Sequence, residues 1–185
     1  MTGKSKNFYV TTPIYYVNDI PHIGHAYTTI AADTIIRHKK LSGNQTFFLT
    51  GTDEHGQKVQ QASQKAGVSP QSHVDILHKR FKALWQRLGI CNNDFIRTTE
   101  DRHTSLVRDI LTRLYKKDKI YKDTYQGLYC IPCERFWTEK DLNRNTCPDC
   151  TRNVENITES NYFFKMANYQ EWLIDHIKNN PNFIQ

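Results

Sequence analysis

Apolar positions in the first hundred residues fall into short runs separated by stretches of helical period. Residues 8–11 form a run with the length and character of a buried strand, ending ahead of Pro13. Tyr27, Ile30, Ala31, Thr34 and Ile35 repeat at helical spacing, which predicts a helix over 26–40 with Gly43 just past its end as the cap. Residues 47–50 give a second short strand, and a helix over 57–66 follows, closed by Gly67. Ser69-Pro70 is a strong helix start, with Ser as cap and Pro in the first turn. Behind it Val74, Leu77, Phe81, Leu84, Trp85 and Leu88 make one apolar face that stops at Gly89. Residues 95–97 are a brief strand. Thr98-x-x-Asp101 has the form of a capping box before a helix carrying Leu106, Val107, Ile110, Leu111 and Leu114.

Strand, helix, strand, helix in this order predicts an α/β domain with a parallel sheet and crossover helices. Near residue 118 the pattern changes. Residues 120–129 read as a hairpin-like strand, and a short helical pattern with Trp172, Leu173 and Ile177 lies near the end. Two segments are therefore expected, 1–118 and 119–185.

The 185 residues are 38% apolar and include 9 Phe, 10 Tyr and 3 Trp, enough to bury a core. No stretch approaches the roughly 20 apolar residues of a membrane-spanning helix. The basic start is not followed by the apolar run of a secretory signal. The expected setting is the cytoplasm, with no membrane contact. A formal charge of +6 permits contact with a polyanion, but the basic pairs (Lys4 and Lys6, Lys39 and Lys40, Lys79 and Arg80, Lys116 and Lys117) are spread out as on a solvated surface.

Four of the five cysteines form two Cys-x-x-Cys pairs, Cys130/Cys133 and Cys147/Cys150. Each pair can wrap one metal through a tight turn, and together they complete a tetrahedral thiolate site without an open position. One structural Zn²⁺ per chain is the expectation, with a redox dithiol as the alternative. Cys91 has no partner in the pattern and is expected to be a packed thiol.

Between the first strand and the first helix stands Pro13-Ile-Tyr-Tyr-Val-Asn-Asp-Ile-Pro21, followed by His22-Ile23-Gly24-His25. A helix N-terminus offers free backbone N–H groups and partial positive charge, and imidazoles three apart share one side of its first turn. Gly24 leaves room for a close-packed ring. Open parallel sheets bind ligands beyond such strand ends. Gly51-Thr-Asp-Glu-His-Gly56 follows the second strand and should reach the same edge, where a carboxylate can pair with an ammonium group.

These motifs resemble the class I aminoacyl-tRNA synthetases through the His-Ile-Gly-His signature, and the methionine-specific family through Phe-Leu-Thr-Gly-Thr-Asp-Glu-His-Gly at 48–56. Asp94-Phe-Ile-Arg-Thr-Thr-Glu100 and Gly127-Leu-Tyr-Cys-x-x-Cys-Glu134 extend the likeness over nearly the whole chain. The resemblance implies the first half of a Rossmann-like class I synthetase parallel sheet over 1–118, followed by a zinc-knuckle connective insertion over 119–185. It implies ATP-dependent activation of methionine to methionyl-adenylate and transfer to tRNA(Met), with Mg²⁺ accompanying ATP and no covalent enzyme intermediate. His22 and His25 would contact ATP and its transition state, and Gly24 would pack under the adenine. Ile14, Tyr16 and Asp53 would bind methionine, with Asp53 on its α-ammonium; Glu54 and His55 are further candidates. The family's second signature, Lys-Met-Ser-Lys-Ser, is absent; Lys165-Met166-Ala167-Asn168 is only superficially similar and reads as structural. The chain is accordingly expected to be a truncated piece with an exposed apolar sheet edge, prone to poor folding or self-association. The rival readings are another class I synthetase and a catalytically incomplete zinc-ribbon RNA-binding module.

Overall fold

The computed structural model describes residues 6–142 and 144–184; Lys4 of the basic pairs lies outside them. Contacts within the chain divide it into two compact units, Met1–Val107 and Arg108–Gln185. The boundary expected at 118 falls within the second.

The first unit is a four-stranded parallel sheet. Strands β1 (Asn7–Thr11) and β2 (Tyr15–Tyr16) pair with the long β3 (Gln45–Asp53), which also pairs with β4 (Asp94–Arg97). Helix α1 (Ile23–Leu41) joins β2 to β3, while α2 (Gln57–Lys65) and α3 (Pro70–Arg87) join β3 to β4. The register puts Val10 opposite Phe48, Thr50 opposite Phe95 and Tyr15 opposite Thr52, so these residues leave the sheet on one face. That face holds the core. Ala32 and Ile36 of α1 pack with Phe48, and Val59, Val74, Leu77, Phe81 and Trp85 of α2 and α3 pack with Tyr15, Val17 and Phe95. On the opposite face Tyr9 and Phe47 are in register and remain 59% and 45% exposed.

Most predicted elements are present, with instructive differences. Helix α1 begins three residues earlier than its apolar period, because His22 caps it. Strand β3 runs on through Gly51, Thr52 and Asp53, beyond the strand expected at 47–50. A Cβ on Gly51 would lie 2.1 Å from the Ile96 carbonyl oxygen, so only glycine allows β4 to approach there. Thr98 does not cap the next helix: α4 (Asp101–Lys116) starts at Asp101, and the Thr98 hydroxyl accepts the Glu54 N–H at 2.9 Å instead. No described α4 residue is buried, so its predicted apolar face is solvent-facing, as is Leu88 at the end of α3. Cys91 is exposed rather than packed: its backbone N–H is tied to Asp33 at 2.7 Å while its side chain stays outside.

The second unit is an antiparallel sheet, β6–β5–β7, with β5 at Ile120–Cys130, β6 at Arg135–Trp137 and β7 at Glu155–Phe164. Helix α5 (Gln170–Asn179) follows. Met166 of the Lys165-Met-Ala-Asn segment sits on a short 3₁₀ turn and is 71% exposed, while Lys165 pairs with Asp118 at 2.7 Å. Among the described residues of this unit only Ile120, Cys130 and Cys147 are buried.

Candidate functional site

At the start of α1 the two histidines hold each other and the helix end. The Gly24 N–H donates to His22 Nδ1 at 3.1 Å, and the His22 N–H donates to His25 Nδ1 at 3.1 Å. An Nδ1 that accepts a backbone N–H carries no proton, so the neutral ring bears its hydrogen on Nε2. Both imidazoles are thus fixed as Nε2–H donors at a helix N-terminus whose first turn contains no acid. The rings stack with centroids 3.9 Å apart, and His25 meets Tyr15 and Phe81 edge-on at 4.9 and 5.1 Å. Burial and the neighbouring His22 push the His25 pKa below its ordinary value, which keeps the ring neutral. A Cβ on Gly24 would lie 3.0 Å from His22 Cε1, so glycine here lets the His22 ring fold back over the turn.

Tyr15 anchors this corner. Its hydroxyl bonds Thr28 Oγ1 at 2.7 Å and Thr29 Oγ1 at 2.8 Å, and its ring stacks on Phe81 at 6.0 Å. The β2–α1 turn then encloses a cleft of about 420 Å³ lined by Ile14, Tyr15, Tyr16, Asn18, Asp19, Ile20, His22 and His25. The structure therefore brings Ile14, Tyr16, His22 and His25 together. Asp53 stands outside these walls, on β3, in register with Tyr16 and on the same face. Among the described residues its carboxylate accepts one long hydrogen bond, from the His55 N–H at 3.5 Å.

Glu54 behaves differently from its neighbour. Its side chain is fully enclosed, accepting from Thr52 Oγ1 at 2.7 Å, Arg97 Nε at 2.8 Å and Thr99 Oγ1 at 2.5 Å. Arg97 also reaches Asp75 of α3 at 2.5 Å, an ion pair that lowers the Asp75 pKa. Breaking the enclosed Arg97–Glu54 pair, by contrast with the half-exposed Asp75, would typically cost about 3–5 kcal/mol. Sequence reading singled out the 94–100 segment but gave Arg97 no role; an arginine at the end of a buried strand, with acids on two other elements, was the available signal.

In the second unit, all four cysteine sulfurs lie within 4.8 Å of one another. Cys130 and Cys150 are 3.5 Å apart, Cys133 and Cys147 3.8 Å. Metal–sulfur bonds of about 2.3 Å set tetrahedrally place the sulfurs about 3.8 Å apart, so the donor set fits one tetrahedral ion. The two half-sites are alike. In each, the residue after the second cysteine takes a left-handed conformation, Glu134 at φ 52 and Thr151 at φ 61. The sequence concealed this, since neither is glycine. Burial raises the Cys130 pKa. At Cys147 burial acts the same way, but the backbone N–H groups of Cys150 and Asp149 and the neighbouring thiols outweigh it and bring the thiol to about 7, whereas Cys133 is pushed up to about 12 by its hydrogen bond with Cys150 and by burial.

A parallel sheet whose first crossover helix opens on a pair of fixed imidazole donors defines an α/β nucleotide-binding protein, with its ligand edge beyond the strand ends. The family model described as tRNA synthetases class I (M) matches residues 8–160, and the chain belongs to that family. It is 51% identical to the methionine–tRNA ligase of Clostridium perfringens over 97% of this chain and 28% of that protein. It is 48% identical to the methionine–tRNA ligase of Thermotoga maritima over 96% of this chain and 29% of that one. Mycobacterium tuberculosis methionyl-tRNA synthetase in complex with methionyl-adenylate superposes with a TM-score of 0.89 at 38% identity, covering 97% of this chain and 36% of that one. The chain thus spans less than a third of the length of these two ligases.

Proposed function

We propose that this chain supplies the amino-acid-activating half of a methionine–tRNA ligase, binding ATP and methionine so that the methionine carboxylate attacks the α-phosphate. The observation that carries the reading is the cleft that joins Ile14 and Tyr16 to His22 and His25. In it, methionine's thioether packs on Ile14 and the Tyr16 ring, surfaces suited to a flexible polarizable chain. The two Nε2–H groups donate to phosphate oxygens as negative charge builds there; removing one such preorganised donor typically lowers the rate about 10²–10³-fold. Gly24, which carries no side chain, packs under the adenine. Asp53 takes the α-ammonium, from a position next to Tyr16 in the sheet. Glu54 and His55 act in support, His55 through its ring contact with the Thr98 carbonyl at 3.3 Å.

Residues 1–118 serve as the first half of the nucleotide-binding domain and 119–185 as a connective insertion. Cys130, Cys133, Cys147 and Cys150 hold one Zn²⁺, whose four protein ligands leave it a structural role. Mg²⁺ arrives with ATP and offsets the charge of its phosphates. The activated methionyl group then passes to tRNA(Met), in the cytoplasm, where translation uses it. No helix among the described residues is long and apolar enough to cross a membrane.

The test is amino-acid-dependent ATP–pyrophosphate exchange with a panel of amino acids, together with equilibrium titration of methionine. Binding or exchange selective for methionine is expected. Selectivity for leucine, valine, isoleucine or cysteine would overturn the reading.

A further inference from the structure

At the end of β3 three consecutive side chains point in opposite ways. Thr52 and Glu54 turn inward and are 0% and 3% exposed, while Asp53 between them turns outward, half-buried. The inward pair is clamped from both sides. Thr52 Oγ1 donates to Glu54, the Thr98 N–H donates to the Thr52 carbonyl at 3.3 Å, and the Glu54 N–H donates to Thr98 Oγ1 at 2.9 Å. Arg97 lies opposite Thr52 in the register and binds Glu54 with Nε and Asp75 with Nη2. The backbone that carries Asp53 is therefore fixed to β4 and, through Asp75, to α3.

The same enclosure separates two adjacent carboxylates. Glu54 has its oxygens filled by two hydroxyls and a guanidinium, leaving nothing for a ligand. Among the described residues Asp53 accepts one weak bond, at 3.5 Å, and its side chain faces outward. A carboxylate that must meet an ammonium group gains by being held at a set place, since misplacement by about 1 Å can cost about a hundredfold.

We propose that Glu54 and Arg97 are positioning residues that set Asp53 for the α-ammonium of the amino acid, with Asp75 as the outer brace. The inference rests on the reading of Asp53 as ammonium partner. It predicts a ligand-specific defect. Loss of the clamp should weaken binding of methionine far more than binding of 4-(methylthio)butanoate, the same molecule without its amino group.

The experiment compares the dissociation constants of these two ligands for the wild-type chain and for Glu54→Gln, Asp75→Asn and Asp53→Asn, with melting curves to establish that each variant is folded. Glu54→Gln should reduce the preference for methionine over the desamino ligand about tenfold or more. Asp75→Asn, at a side chain 45% exposed, should reduce it by a smaller factor of about two to three without threatening the fold. If Glu54→Gln does not fold, Asp75→Asn alone decides. An unchanged preference in the folded variants, or equal weakening of both ligands, overturns the positioning role while the proposed function stands. A preference that survives Asp53→Asn overturns both, because Asp53 would then not be the ammonium partner.

Discussion

Replacing Gly51 by alanine puts the close approach of β3 and β4 to a direct test. The added Cβ would start 2.1 Å from the Ile96 carbonyl oxygen and 2.6 Å from Ile96 Cγ2. A carbon–oxygen contact needs about 3.3 Å, so the strands must part by about 1.2 Å. The obstacle is backbone in a paired strand, so a rotamer change cannot relieve it. Parting lengthens the hydrogen bonds that hold residues 49–52 to 94–97 beyond their useful range. Overpacking of this kind costs about 1–3 kcal/mol, and two or three weakened bonds add about 1 kcal/mol each. A total of about 3–6 kcal/mol lowers the melting temperature of a domain of about 100 residues by roughly 12 °C or more. Far-UV circular dichroism on heating is the assay. Gly43→Ala is the reference: Gly43 has φ +80 and no atom within 4 Å of an added Cβ, so its cost is the left-handed strain alone, about 1–2 kcal/mol. The reasoning fails if Gly51→Ala melts within 2 °C of wild type, or no lower than Gly43→Ala.

Three further outcomes follow from the site. His22→Asn retains a side-chain oxygen for the Gly24 N–H and should keep the melting temperature, yet lose methionine-dependent pyrophosphate exchange by about a hundredfold; His22→Ala should in addition lose about 0.5–2 kcal/mol of capping, and equal exchange in Asn and wild type would sink the donor role. Because the His25 pKa is lowered on folding, the unfolded chain binds more protons just below the ordinary histidine range. The His25 contribution to stability is therefore full above pH of about 6.5 and lost as pH falls through the lowered folded value; the groups facing it are His22, Tyr15 and Phe81, and His25→Phe should flatten that part of a stability–pH curve. Elemental analysis should give about one zinc per chain and Cys133→Ser should lose it; with so little else buried in residues 108–185, chelation should unfold β5–β7, seen as loss of amide protection there and not over 7–97, and a protected metal-free β5–β7 would refute a structural role.

The fold was legible where local chemistry and tertiary packing agree. Ser69-Pro70 opened α3 as read, with the Ser69 hydroxyl accepting the Ser72 N–H at 3.1 Å, and Gly67 and Gly89 closed helices in left-handed conformations. Val74, Leu77, Phe81 and Trp85 were placed in the core by period alone. Reading failed where a short-range pattern competes with a long-range partner. Thr98 had the form of a cap, but a buried Glu54 N–H lies within its reach and takes the hydroxyl. Gly51 fell just past the expected strand, since glycine weakens strands, and the reason it lies inside β3 is the Ile96 carbonyl, 45 positions away in sequence. Strands β2, β6 and β7 went unread: β2 is two residues long, and β7 has an alternation too polar to stand out.

At the site the sequence supplied the residue types, and the structure supplied their division of labour. His22 and His25 were legible as a pair, but which nitrogen each offers follows from two backbone hydrogen bonds that no spacing rule contains. In sequence Asp53 was the candidate for the ammonium group, with Glu54 and His55 beside it as further candidates. A strand that continues to Asp53 separates them, since alternate side chains leave opposite faces. The inward residue is then obliged to find a counter-charge, and Arg97 meets it at 2.8 Å. Only the outward carboxylate remains able to exchange water for a ligand. The same three residues in a loop would have had no such obligation, so the extension of β3 by the Gly51 contact is what separates the outward carboxylate from the enclosed one.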